Sequence, residues 1–209
     1  SKSLKRKTML DKFIEQLITE KNLSQEELNY LEEHAKVRFY KNRQTILSEG
    51  KIVKNIYFVI SGCVRLFYNL DGNEKTAFFY TDGDIIWANK SIQKQMPTQK
   101  NYEATEDTVM VEIDKDVLFQ LMQSSISFDT IIRSYREKEL TAYQQLIAHF
   151  ITLSPEERFL NLMQTNKILF AKASQQHIAS YLGVSSETLC RIKKSVYEKQ
   201  KHKKQAQLT

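Results

Sequence analysis

The sequence predicts an α+β chain in which an all-β sandwich or barrel is followed by helices that end in a helix-turn-helix. Three observations predict it. The apolar pattern has a period of two from Val37 to Ile113, it returns to a period of 3.6 from Asp114 onward, and a net positive charge gathers in the last fifth of the chain.

The bounds are simple. With 209 residues, 41% of them apolar, the chain has enough to bury for one or two packed domains. Cys63 and Cys190 cannot build a disulfide framework or a two-cysteine zinc half-site. No apolar run reaches the roughly 18 residues of a membrane span, so a cytoplasmic location without membrane contact is expected. The start, SKSLKRKTMLDKF, is basic, lacks the apolar stretch of a secretory signal and lacks an initial Met, which fits an artificial boundary; its first few residues are given no structure.

The first element expected is a helix in NLSQEELNYLEEHA, where Ser24 and Glu27 stand at the capping-box spacing and Leu28, Leu31 and Ala35 share a face. Strands follow in VRFYK, QTILSEG, NIYFVIS, GCVRLFYNL, EKTAFFYT, DIIWA, YEATE and TVMVEI, which are rich in β-branched and aromatic residues. Gly50, Gly62, Gly72 and Gly83 punctuate them at spacings of 12, 10 and 11 residues, and Asp71-Gly72 is the clearest hairpin turn. Next come helices over roughly Lys115–Gln123 and Ser127–Phe150. The second carries an apolar stripe from Phe128 to Phe150, interrupted by the charged stretch Arg136 to Glu139, and it can pack partly on the β domain and partly on a second copy of itself. Ser154-Pro155-Glu156-Glu157 is a helix start, with an N-cap, proline at the first position and acids at the positive end of the dipole. ILFA is expected as a short strand, and EKQKHKKQAQLT as a frayed or disordered tail.

Residues 171–209 hold eight basic and two acidic side chains, which accounts for the whole net charge of +6. Within them, QQHIASYLGVSSETLCRIKK forms a helix-turn-helix pattern: Ser174 caps a helix with Ile178, Ala179 and Leu182 inward, Gly183 makes the turn, and Ser185 caps a second helix on Leu189, Ile192 and Val196. Ser186, Glu187, Cys190, Arg191 and Lys194 then face outward. In such units the second helix enters the DNA major groove, where Arg191 suits a guanine edge and Glu187 a cytosine amine. Ser174, Gln175, Gln176, Ser185, Thr188 and Lys194 suit phosphates. The bland reading is a helical hairpin with Glu187 and Arg191 as a surface pair.

This segment resembles the C-terminal helix-turn-helix of the cyclic-AMP receptor protein/FNR family of bacterial transcription regulators. The resemblance extends upstream through the β-rich region, Gly83-Asp84, VMVEIDKDVLFQLM, the long helix and SPEERFLNLM. It implies an N-terminal β-roll sensor of the cyclic-nucleotide-binding-like jelly-roll type with flanking helices over 1–126, a dimerisation helix over 127–152, and a DNA-binding domain with a basic tail over 153–209. Glu187, Arg191 and Gln176 occupy positions that match the family's DNA-contacting residues, whereas Ser186 stands where its best-known members have arginine. The implied partners are double-stranded DNA, a second copy of the chain, RNA polymerase and a small-molecule effector.

The sensor departs from the family. The ribose motif falls on Trp87-Ala88 and the phosphate motif on Thr98-Gln99-Lys100, so neither the carboxylate nor the bidentate arginine is present. Lys90 and Lys100 offer point charges without the planar fork. An effector other than cyclic AMP is therefore expected, with Trp87, Asn89, Lys90, Thr98, Gln99 and Tyr143 where the family pocket would lie. No cofactor or metal is expected, since two cysteines are too few for an iron–sulfur sensor and His34, His149, His177 and His202 lack ligand spacing. Cys63 reads as a small packed group. No phosphate-cradling loop, nucleophile elbow or HExxH helix marks an enzyme. The family usually continues into a β-hairpin wing where this sequence has lysines, so the alternative is a sensor or protein-interaction module whose helix-turn-helix no longer reads DNA.

Overall fold

The structure, a computed structural model, describes residues 2–18 and 22–206, with backbone alone for residues 2, 3, 89, 90 and 202–206. Two helices open it, α1 (Lys2–Ile18) and α2 (Gln25–His34), and α2 has the predicted capping box at Ser24 and Glu27. All eight predicted strands form: β1 (Lys36–Tyr40), β2 (Thr45–Leu47), β3 (Asn55–Ser61), β4 (Cys63–Leu70), β5 (Asn73–Thr81), β6 (Ile85–Ile86), β7 (Asn101–Ala104) and β8 (Thr108–Asp114). They make two antiparallel four-stranded sheets, ordered β1-β8-β3-β6 and β2-β7-β4-β5, stacked as a jelly-roll-like sandwich. Asp71 and Gly72 both have positive φ, 53° and 84°, the type I′ geometry that matches the strand twist and closes the β4–β5 hairpin.

Four expectations change. The basic start is ordered: α1 buries Phe13 and Leu17, and the Phe13 ring lies 4.9 Å from Phe58. That cover explains why β3 is buried continuously from Ile56 to Ile60 rather than on alternate residues. A short helix, α3 (Asn89–Lys94), follows β6. ILFA is a helical turn, α7 (Leu169–Lys172), because Ala173 N–H bonds back to Leu169 O; a short apolar run has no period that separates strand from helix. The basic tail continues a helix to Ala206, and residues 207–209 lie outside the described residues.

Helices α4 (Lys115–Ser124) and α5 (Ile126–Thr152) leave the roll. Over 27 residues α5 is about 40 Å long. Its first turns are core, with Phe128, Ile131 and Ile132 buried, while Leu140, Ile147 and Ile151 are 56%, 60% and 78% exposed. Then come α6 (Pro155–Thr165), α7, α8 (Gln175–Tyr181) and α9 (Ser186–Ala206).

These last helices share a second core, built on Phe159, Leu162, Leu169, Ile178, Leu182, Leu189 and Val196, and Cys63 and Phe79 of the roll join it. The helical unit is thus seated on the roll. Tyr181 meets Phe79 edge-on at 5.3 Å, the Thr76 N–H donates to Ser180 Oγ, and Lys172 Nζ donates to Gly62 O, Asp82 and Glu106. Burial works against the Lys172 charge, but the two carboxylates outweigh it and raise the lysine's pKa.

Candidate nucleic-acid interface and effector pocket

The outward face of α9 is built by its underside. Leu189 is fully buried, Val196 is buried and Ile192 is partly so, which fixes the rotation of the helix and points Ser186, Glu187, Cys190, Arg191 and Lys194 into solvent. Ser185 Oγ accepts from the Thr188 N–H at 3.1 Å and so caps the first turn. Gly183 joins α8 to α9 at φ +70°, and a Cβ there would sit 2.7 Å from the Phe150 ring, so both conformation and space require glycine. Arg158 locks the same turn, donating to Leu182 O and Leu153 O with its guanidinium over Phe150.

Glu187 and Arg191 lie one turn apart without an ion pair between them; Arg191 Nη2 instead donates to Thr188 Oγ1 at 3.2 Å. Both remain free to meet a partner. The other predicted phosphate-facing residues divide. Ser174 and Ser185 hold helix starts with their hydroxyls, and Gln175 accepts from Lys193 at 3.1 Å. Gln176 is exposed and borders the cleft against the roll together with Ser174. The charge excess divides as well: Lys172 is bound to the roll and Lys199 to Glu156, whereas Arg191, Lys194 and Lys201 are exposed.

The expected effector residues are scattered. Thr98 and Gln99 border a cavity of about 360 Å³ with Tyr68, Ser91, Met96 and Lys100. Trp87 is buried elsewhere, 5.9 Å from the Phe119 ring and under Arg136, and the side chains of Asn89 and Lys90 lie outside the described residues. Tyr143 belongs to a cluster that sequence reasoning saw only in part. Its hydroxyl lies 2.7 Å from that of Tyr80, both phenols bond to Glu139 Oε1, and the buried Tyr102 ring is 6.2 Å from that of Tyr80. Burial raises the Glu139 carboxyl above its ordinary range against the pull of the two phenols, and burial likewise raises Tyr80, Tyr102 and Tyr143. Glu139 was within reach of the sequence, standing four residues before Tyr143 on the same helical face.

The profile of the family described as "Cyclic nucleotide-binding domain" matches residues 37–125. Over those residues the chain is similar to that domain. The solved structures place the rest of the chain around it. FixK2 from Bradyrhizobium japonicum superposes with a TM-score of 0.69 at 19% identity, over 79% of this chain and 85% of that one. The c-di-GMP responsive regulator CLP from Xanthomonas campestris gives 0.66 at 19%, over 84% and 93%, and a CooA mutant from Carboxydothermus hydrogenoformans gives 0.67 at 14%, over 87% and 83%. The chain therefore has the fold of the Crp/Fnr-family regulators. Among curated proteins, no sequence match is found.

The roll does not fit a cyclic phosphate by the expected contacts. No guanidinium borders the Thr98 cavity, and Thr98 Oγ1 already accepts from the Lys100 N–H. An anion loses its strongest partner there. Among the described residues no three potential metal ligands cluster, and no helix is long and apolar enough to cross a membrane.

Proposed function

We propose that the chain is a homodimeric transcription regulator that reads a palindromic DNA site with its helix-turn-helix and biases that reading through the β-roll. The assignment divides the chain into the roll with its flanking helices (1–126), the dimerisation helix (127–152) and the DNA-binding domain (153–209). The observation that carries it is the free pair Glu187 and Arg191, one turn apart at the start of a helix whose underside is buried. A duplex gives both groups partners, Arg191 at a guanine and Glu187 at a cytosine, with Lys194 and Gln176 on the phosphates. Half-sites then fall about 34 Å apart, one helical turn.

Leu140, Ile147 and Ile151 form the seam for the second copy, an apolar row left in solvent by one chain. The roll's effector is one other than cyclic AMP, taken near Thr98, Gln99 and Tyr143. It acts by binding two arrangements of the DNA-binding domains with different affinity. The test is selection of binding sites from random duplexes by the full chain, followed by salt titration. A specific site with Arg191→Ala losing preference at one base pair supports the reading; equal affinity for selected and random DNA supports the alternative of a non-reading interaction module.

A further inference from the structure

Away from the roll interior, a cavity of about 620 Å³ lies between the roll and the first turn of α8. Its roll wall carries Arg65 of β4, and this guanidinium is deeply buried, at 2% exposure. Nε donates to Glu103 at 2.9 Å, Nη2 to Glu74, and the central carbon of the group lies over Phe67, 3.9 Å from the ring centroid. Nη1 is buried without a partner. On the opposite wall, His177 Nδ1 of α8 is also buried without one. A buried donor on a cation is paired in almost every folded protein, so the orphaned Nη1 of Arg65, a residue that lines the cavity, marks a missing acceptor, and His177 Nδ1 joins it as a donor in the tautomer that carries the proton there.

Charge says which acceptor. Glu74 and Glu103 are taken by Arg65, and Glu106 by Lys172, so the three carboxylates of the wall are engaged. Arg43, the remaining cation, has no hydrogen bond or ion pair from its side chain among the described residues. Its backbone is pinned beside the cavity: the Arg43 N–H donates to Ala104 O at 2.8 Å, and the residue is held at φ +66°, a left-handed conformation uncommon outside glycine. What remains open is donors and positive charge. A single water occupies about 30 Å³, so the space admits more than one.

We propose that this cavity binds a small oxyanion, a phosphate or carboxylate group, held by Arg65 Nη1 and Arg43 from the roll and by Gln176 and His177 from α8. The bound group ties the DNA-binding helices to the roll, and it stabilises the seated arrangement by binding that arrangement alone. His177 reports the event. Burial, and then Arg65, hold its pKa below the ordinary histidine value, and an anion beside the ring reverses part of that shift.

The experiment titrates the full chain with inorganic phosphate, and separately with acetate, at constant ionic strength set with chloride, following the His177 ring signals by NMR and the thermal unfolding midpoint. The expected result is a saturable shift of His177 with a rise in the midpoint, and a loss of affinity of about tenfold or more in Arg43→Gln, whose exposed side chain leaves the fold intact. A phosphate carried by DNA is distinguished by adding random duplex without free anion: a shift seen only then assigns the oxyanion to the DNA backbone. Absence of a saturable shift with phosphate, acetate and duplex alike overturns the proposal, as does a shift that survives unchanged in Arg43→Gln.

Discussion

The seam between the roll and α5, and the outer face of α9, hold the same kinds of side chain under opposite conditions. Between the roll and α5, the carboxyl of Glu139 is partly buried and receives bonds from Tyr80 of β5 and Tyr143 of α5 itself. On α9, the carboxylate of Glu187 and the guanidinium of Arg191 stand in water one turn apart without pairing. Polar groups that meet their partners inside the chain add rigidity and specify packing. Those left unpaired on a rigid, well-anchored helix are available to something outside it. The contrast separates a cluster whose carboxyl meets its partners within the chain from a pair that does not.

The largest effect that can break this contrast comes from the closed side. Tyr80 is fully buried, so Tyr80→Ala is expected to destabilise the chain by about 3–5 kcal/mol, the range for removing a large aromatic from a core, measured by urea unfolding. A loss below about 1 kcal/mol would mean that the cluster is loosely packed space open to a ligand.

On the open side, Arg191→Ala is expected to cost about 1–3 kcal/mol of preference at one base pair while leaving unfolding unchanged. Replacing Leu140 and Ile147 together by Glu is expected to convert a dimer into a monomer in analytical ultracentrifugation, since like charges would face each other across the seam.

A smaller effect sharpens the picture of Glu139. Its pKa is raised in the folded state, so the folded chain holds the proton to higher pH than the unfolded one, and stability falls as pH rises through the window above the ordinary carboxylate value. Glu139→Gln is expected to remove that fall, leaving wild type and variant closest at the acid end. The smallest expected effect belongs to Lys194→Ala: weaker binding to all sequences alike, with the salt slope reduced by about one.

Legibility differed between the same two regions. The strands were readable because alternation and turn residues are local, and the Asp71-Gly72 hairpin formed as expected. The outer face of α9 was equally readable, since Leu189, Ile192 and Val196 repeat at helical spacing. The helix α1 was not read because its basic side chains dominate the composition, although Phe13 and Leu17 stand four apart. Long-range polar contacts left no local trace. Nothing in the chain order brings Arg65 to Glu103, 38 residues away, or Lys172 to Glu106, 66 residues away. Trp87, expected near an effector, packs on Phe119 because the chain turns from the sheet edge into α3, which the pattern did not reveal.

The most direct measurement is a comparison of affinities for a selected duplex and a random one, made with the wild-type chain and with Arg191→Ala at a single salt concentration. The account predicts a strong wild-type preference, strongest for a palindrome with half-sites one helical turn apart, which drops in the variant at one position per half-site. Identical affinity for both duplexes in both proteins would contradict it.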